Sequence, residues 1–167
     1  VCGLGDGVED PQARLVMATV NGVRVLSVYV PNGSELGSDK YQYKLQWLKR
    51  LREFLDRNCD PTEPLAICGD YNVAPNDADI ANPEAWEESV LTDGEVRSAM
   101  KNVLDWGLVD SFRLHHPEGG HYSWWDYRRL AFPKNDGMRI DQIYVTDALA
   151  KNCESAMIDR NERKGKQ

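Results

Sequence analysis

The chain has 167 residues, 41% of them hydrophobic, and a formal net charge of −7 at pH 7. That length builds one domain with a real core and is short for two. The acidic balance excludes a general polyanion binder, though not a local positive face, and no apolar run approaches the roughly 20 residues that span a bilayer. Residues 14–20 and 23–30 are rich in valine and flank Asn21-Gly22, a pair suited to a two-residue hairpin. Two antiparallel strands are predicted, the second ending at Tyr29-Val30-Pro31-Asn32-Gly33. Ser38 or Asp39 can cap a helix beginning near Lys40, in which Tyr41, Leu45, Leu48 and Leu55 recur at helical spacing. Pro61 and Pro64 close the connection before an apolar strand at Leu65, Ala66, Ile67 and Cys68.

From Pro75 to Leu91 the chain is acidic and turn-rich, which predicts a surface excursion. Thr92-Asp93-Gly94-Glu95 has the form of a capping box, and Val96, Ala99, Met100, Val103 and Leu104 mark one helical face that stops at Gly107. Extended segments are predicted at 109–114 and 122–127, with a loop over 115–120 between them. Residues 128–137 form a loop or short helix, 140–146 a strand with Ile143 and Val145 buried, and 156–158 the start of one more strand. Strands interleaved with helices give an α/β (α+β) class, and no repeat, low-complexity tract or linker divides residues 1–167, which are expected to form a single domain. Cys2, Cys59, Cys68 and Cys153 are scattered and form no Cys-x-x-Cys or Cys/His cluster, so structural zinc is not expected and reduced thiols are.

The segment from Ile67 to Pro75 reads ICGDYNVAP. An apolar run ends at Gly69, and Asp70 and Asn72 follow two residues apart, so that alternation sends both to one side of a strand tip. Gly69 allows close backbone approach and Pro75 stops the strand. A carboxylate beside a carboxamide suits activation of water, or binding of a hard cation, next to a phosphate. The plain alternative on this segment is an Asp-Asn turn after a core strand, since turns favour both residues for local hydrogen bonding. Tyr29 can donate a hydrogen bond to a phosphate oxygen or pack half-buried. Asp141 heads a core strand, where an acid needs a partner, and a salt bridge to a neighbouring arginine is the simplest one. Trp124, Trp125, Tyr127 and Arg128 form an aromatic-then-basic cluster suited to stacking on a splayed base, although alternation sends one of the two tryptophans to the core. Lys44, Arg128, Arg129, Lys134 and Arg139 are candidates for the positive face. His115, His116 and His121 surround a Gly-Gly loop, match no metal-ligand pattern and read as surface loop residues.

VYVPNG (28–33), GDYN (69–72), SWWDYR (123–128) and RIDQIYVT (139–146) occur in an order and at spacings that resemble the exodeoxyribonuclease III branch of the endonuclease/exonuclease/phosphatase superfamily, which contains DNA-repair nucleases and AP endonucleases. Connecting segments such as SDKYQYKLQWLKRL and DWGLVDSFR extend the resemblance over almost the whole chain. It implies a two-sheet, four-layer α/β sandwich with mainly antiparallel and mixed strands. It also implies a metal-dependent DNA phosphodiester hydrolase acting on double-stranded DNA with 3′ ends or abasic sites, with Mg²⁺ (Mn²⁺ as the substitute), as a cytoplasmic monomer with no membrane attachment. Tyr29 would contact the scissile phosphate, Asp70 would activate water, and Asn72 would orient Asp70 and stabilise charge, with Asp70 and Asn72 close to the metal. Asp141 would orient a histidine, and Asn32, Trp125, Arg128 and Arg139 would bind substrate. The family also uses an early Asn, a metal-binding Glu and a late Ser-Asp-His motif, none of which is in this sequence. The chain is therefore expected to be part of a larger domain and inactive by itself. Two rivals remain: a superfamily phosphoesterase acting on a lipid or inositol phosphate, and a non-catalytic DNA- or protein-binding module.

Overall fold

The computed structural model describes residues 2–8, 10 and 12–164. Strands β1 (Leu15–Val20) and β2 (Val23–Tyr29) form the expected hairpin. Asn21 and Gly22 both take positive φ at its tip, which matches the twist of the flanking strands. Helix α1 (Asp39–Asn58) starts at Ser38, whose hydroxyl accepts from the Tyr41 amide, and leads into β3 (Leu65–Asp70). Asp93, not Thr92, caps helix α2 (Gly94–Leu104), its carboxylate accepting from the Glu95 and Val96 amides. The remaining elements are β4 (Leu108–Asp110), β5 (Trp124–Trp125), α3 (Ala131–Lys134), β6 (Gly137–Met138), β7 (Asp141–Thr146) and α4 (Asp147–Ala150). The strand expected over 156–158 does not form; that segment is irregular. No helix among the described residues is long and apolar enough to cross a membrane.

The strands are ordered β1-β2-β3-β7-β4 in a five-stranded mixed sheet, and β5 pairs β6 in a separate ribbon. β2 and β3 are parallel, the other neighbours antiparallel. One face of the sheet presents Leu15, Leu26, Val28, Leu65, Ile67 and Tyr144 to the helices, where they join Trp47, Leu48, Leu51, Phe54 and Leu55 of α1 and Val96, Met100 and Val103 of α2 in one core. Each large apolar side chain so buried contributes about 1.5–3 kcal/mol. The stretch between Pro75 and Leu91 is less superficial than its composition suggests. Ile80, Val90 and Leu91 pack into the core and Asp79 is fully buried. In β7 the alternation runs opposite to expectation at Ile143, which is exposed, because Gln142 and Tyr144 take the helix-side face.

The tight point of the sheet is Gly69. Its φ is +152°, and a Cβ there would lie 1.8 Å from the Val28 carbonyl oxygen. No flexible side chain can yield at such a backbone contact, so β2 and β3 reach their paired ends only with glycine at this position. Gly69→Ala is expected to lower stability by about 3 kcal/mol or more. A denaturant midpoint within error of the wild type would contradict this.

Candidate active site

The register of three adjacent strands sets one row across the sheet. Tyr29 of β2 pairs with Asp70 of β3, and Asp70 pairs with Asp141 of β7. Residues paired in register point to the same face, so these three side chains share the face that α1 and α2 leave open. A cavity of about 680 Å³ lies against that face and is lined by Gly69, Asp70, Ser123, Asp141 and Ile143 among others.

Beyond Asp70 the chain turns sharply. Asn72 sits at φ 50°, a left-handed conformation that asparagine tolerates. Its amide N–H donates to Asp70 Oδ1 at 2.8 Å, and its Nδ2 donates to Asp70 Oδ2 at 3.2 Å and to the Val30 carbonyl at 3.0 Å. Asn32 Nδ2 donates to Asn72 Oδ1 at 3.0 Å, joining the turn after β2 to the turn after β3. Asn72 therefore orients the Asp70 carboxylate through both backbone and side chain.

Lys44 fastens this arrangement from below. The sequence placed it on a positive face, but it is fully buried. Its Nζ donates to the carbonyls of Asn72 (2.7 Å), Val90 (2.6 Å) and Asn32 (3.2 Å). Burial pulls its ammonium down to about 7, against the opposing pull of Asp70 and Asp93. The physical reason was visible in the helix period: Lys44 lies three residues from both Tyr41 and Trp47, within the buried stripe of α1.

Desolvation pushes the Asp70 carboxyl up to about 6; the Asp141 charge adds to the rise, while the Asn72 hydrogen bonds and Lys44 oppose it. Asp141 is exposed, and its carboxylate has no hydrogen-bond or ion-pair partner among the described residues. Its backbone N–H and that of Ile140 both donate to the Ser123 hydroxyl, which fixes the start of β7. Tyr29 is half-exposed, with the Arg14 guanidinium 5.0 Å from its ring centroid, and its hydroxyl has no hydrogen-bond partner among the described residues. The Asp70 carboxylate, facing the cavity beside the Asp141 charge, is an oxygen donor of the kind a hard divalent cation takes. Asp70 and the second lone pair of Asn72 Oδ1 would hold such an ion.

The sequence profile of the Endonuclease/Exonuclease/phosphatase family matches residues 3–163. The chain belongs to this family. It is 35% identical over 159 residues to the exodeoxyribonuclease of Bacillus subtilis, a match covering 95% of this chain and 62% of that protein. Against exodeoxyribonuclease III of Haemophilus influenzae it is 34% identical, over 87% of this chain and 59% of that one. The solved 3′-5′ exonuclease of Neisseria meningitidis superposes with a TM-score of 0.93 at 41% identity, over 100% of this chain and 65% of that structure. The chain thus spans less than two thirds of the length of the relatives it matches.

Three of the expected substrate-binding side chains are held elsewhere. Arg139 is buried, its Nε on Asp79 at 2.8 Å and its terminal nitrogens on Asp110 at 2.7 and 3.2 Å. Arg113 adds a second guanidinium to Asp79. This internal network explains the buried Asp79 and removes Arg139 from the positive face. Trp125 is the buried tryptophan of its pair: it packs edge-on against Phe132, donates Nε1–H to Asn135 Oδ1 at 3.3 Å and is not available for stacking on a base. Trp124 is half-buried against Trp86. Arg128 is exposed but bidentate with Asp126, at 3.0 and 2.9 Å, while Tyr127 beside it is 93% exposed. Asn32 is at the site, bonded to Asn72 as described.

Two expectations follow. Arg139→Ala leaves Asp79 with Arg113 alone and strips Asp110 of its bidentate partner, and is expected to cost about 3–5 kcal/mol, measured by chemical denaturation; a loss under about 1 kcal/mol would rule out the buried network. The folded protein holds the Asp70 proton more tightly than an ordinary carboxyl of 3.8, so this contribution to stability is complete below about pH 4 and lost as pH rises through about 6. With divalent ions chelated, the stability of the wild type relative to Asp70→Asn should fall across that window. A flat difference from pH 4 to 7 would contradict the burial of this carboxyl.

Proposed function

We propose that this protein is a metal-dependent DNA phosphodiester hydrolase of base-excision repair. It acts as a cytoplasmic monomer on double-stranded DNA, removing nucleotides from 3′ ends and cutting beside abasic sites. The single observation that carries this reading is the in-register row of Tyr29, Asp70 and Asp141, with Asn72 bonded to Asp70. The relatives support the substrate: two are named exodeoxyribonucleases, and a Neisseria 3′ phosphatase, 43% identical with a TM-score of 0.85, was solved with a product DNA hairpin.

Hydrolysis of a phosphodiester needs an aligned nucleophile, charge compensation on the non-bridging oxygens and help for the leaving alkoxide. Asp70, with its carboxyl near 6, is ionised at neutral pH yet basic enough to accept a proton from an attacking water. Asn72 holds that carboxylate in one orientation through its two hydrogen bonds. Tyr29 can donate its free O–H to a phosphate oxygen. Asp141, whose carboxylate opens to the cavity, would orient a histidine as the carboxylate of a hydrolytic triad does. A bound Mg²⁺ or Mn²⁺, held by Asp70 and Asn72, would polarise the phosphate and steady the departing oxygen.

The full-length protein is expected to cleave abasic-site duplex and 3′-recessed duplex with Mg²⁺ and not with chelator and to leave an inositol phosphate intact, while residues 1–167 alone are expected to be inactive. Asp70→Asn should lower the rate by about 10²–10⁴-fold, as for loss of a general base, while duplex affinity stays within a few fold. Hydrolysis of the inositol phosphate in preference to DNA would instead favour the superfamily phosphoesterase, and tight DNA binding without any cleavage would favour the non-catalytic module.

A further inference from the structure

We propose that His116, Glu118 and His121 form a binding site for one divalent transition-metal ion of the Zn²⁺ type, separate from the carboxylates at the strand tips. One ligand atom of each residue lies within 4.8 Å of the other two. His121 Nε2 is 3.0 Å and His116 Nδ1 is 3.4 Å from the same oxygen, Glu118 Oε1. Metal–ligand bonds of about 2.0–2.1 Å place neighbouring donors of a tetrahedral ion roughly 3.3 Å apart, and the two separations from Glu118 Oε1, 3.0 and 3.4 Å, bracket that value.

The lone pair of His116 is already directed inward. Its Nε2 lies 2.8 Å from the Ala156 carbonyl, an acceptor, so Nε2 carries the proton and Nδ1 is left as the free electron pair. That lone pair faces a carboxylate oxygen at 3.4 Å. Two acceptors in that position repel unless a cation, a proton or a metal ion, lies between them. A ligating histidine with its other ring nitrogen donating to a backbone carbonyl is the common supporting arrangement for a metal.

The loop that carries the three residues is held in place from several sides. Arg113, anchored on Asp79, donates to the carbonyls of His116 (3.0 Å) and Glu118 (2.5 Å). Phe112 stacks on the His116 ring at 4.6 Å and meets the His121 ring edge-on at 5.4 Å. Gly120, at φ +92°, reverses the chain so that His121 faces back toward His116. Two imidazoles and one carboxylate select a borderline ion such as Zn²⁺, Co²⁺ or Ni²⁺ over Mg²⁺, which prefers oxygen alone, and leave at least one coordination position for water. By binding near the Ala156 tether, the ion would clip the 116–121 loop to the segment after α4.

The test uses an Asp70→Asn/Asp141→Asn protein, which silences the strand-tip carboxylates. After chelator treatment it is titrated with Zn²⁺ by calorimetry and with Co²⁺ by visible absorption. One Zn²⁺ per chain and an intense Co²⁺ band of low coordination number are expected. Glu118→Ala and His121→Ala, both at accessible positions, should each weaken Zn²⁺ binding by about tenfold or more, with unchanged far-UV circular dichroism. Unaltered affinity in both variants, no uptake of Zn²⁺ below millimolar concentration, or titration of the triad as a proton-only histidine–glutamate pair would overturn the proposal.

Discussion

One missing methyl group decides how the strand tips meet. Because Gly69 has no side chain, its backbone can lie against the Val28 carbonyl, and β2 and β3 stay paired up to Tyr29 and Asp70. A one-residue slip of β3 would send Asp70 to the helix side of the sheet, and a slip of β2 would do the same to Tyr29. The chemistry at the rim therefore depends on register, and register depends on a contact that only glycine permits.

A second layer of control comes from Lys44. One ammonium gathers the carbonyls of Asn32, Asn72 and Val90, which belong to three separate connections. The turn after β2 and the turn after β3 are thus tied to α1 as well as to each other. Removing that cation would leave three inward carbonyls without a donor, each an unfavourable buried acceptor. The orientation of Asn72, and through it of Asp70, is inherited from the packing of the helix.

Much of this was legible in the residues and some was not, for identifiable reasons. The Asn21-Gly22 hairpin and the Ser38 cap follow from local chemistry, which a sequence displays directly. Asp70 and Asn72 do meet, but through the Asp-Asn turn and not by strand alternation, because β3 ends at Asp70 and Asn72 takes a left-handed φ. Lys44, Arg139 and Trp125 were misplaced because each is an amphipathic or charged side chain whose burial depends on partners far away in the chain. For Arg139 those partners are Asp79 and Asp110, residues 60 and 29 positions distant. The strand at 156–158 failed because apolar content alone does not supply a neighbour to pair with. The histidines of the 115–121 loop looked idle because the chain reversal that joins two of them to Glu118 is set by glycine conformation and by Arg113, not by any recognisable spacing.

The internal use of cations has an effect on how a polyanion would arrive. Lys44, Arg113 and Arg139 are all committed to groups of the chain itself, Arg128 is neutralised by Asp126, and the molecule as a whole is negative. Of the five cations considered for a positive face, only Arg129 and Lys134 are exposed without an ion-pair partner among the described residues. These candidates would release fewer counterions to a phosphate backbone than five free charges, and its affinity should change less with ionic strength. Recognition here would depend on fit at short range, with little drift-in guidance from a distant field.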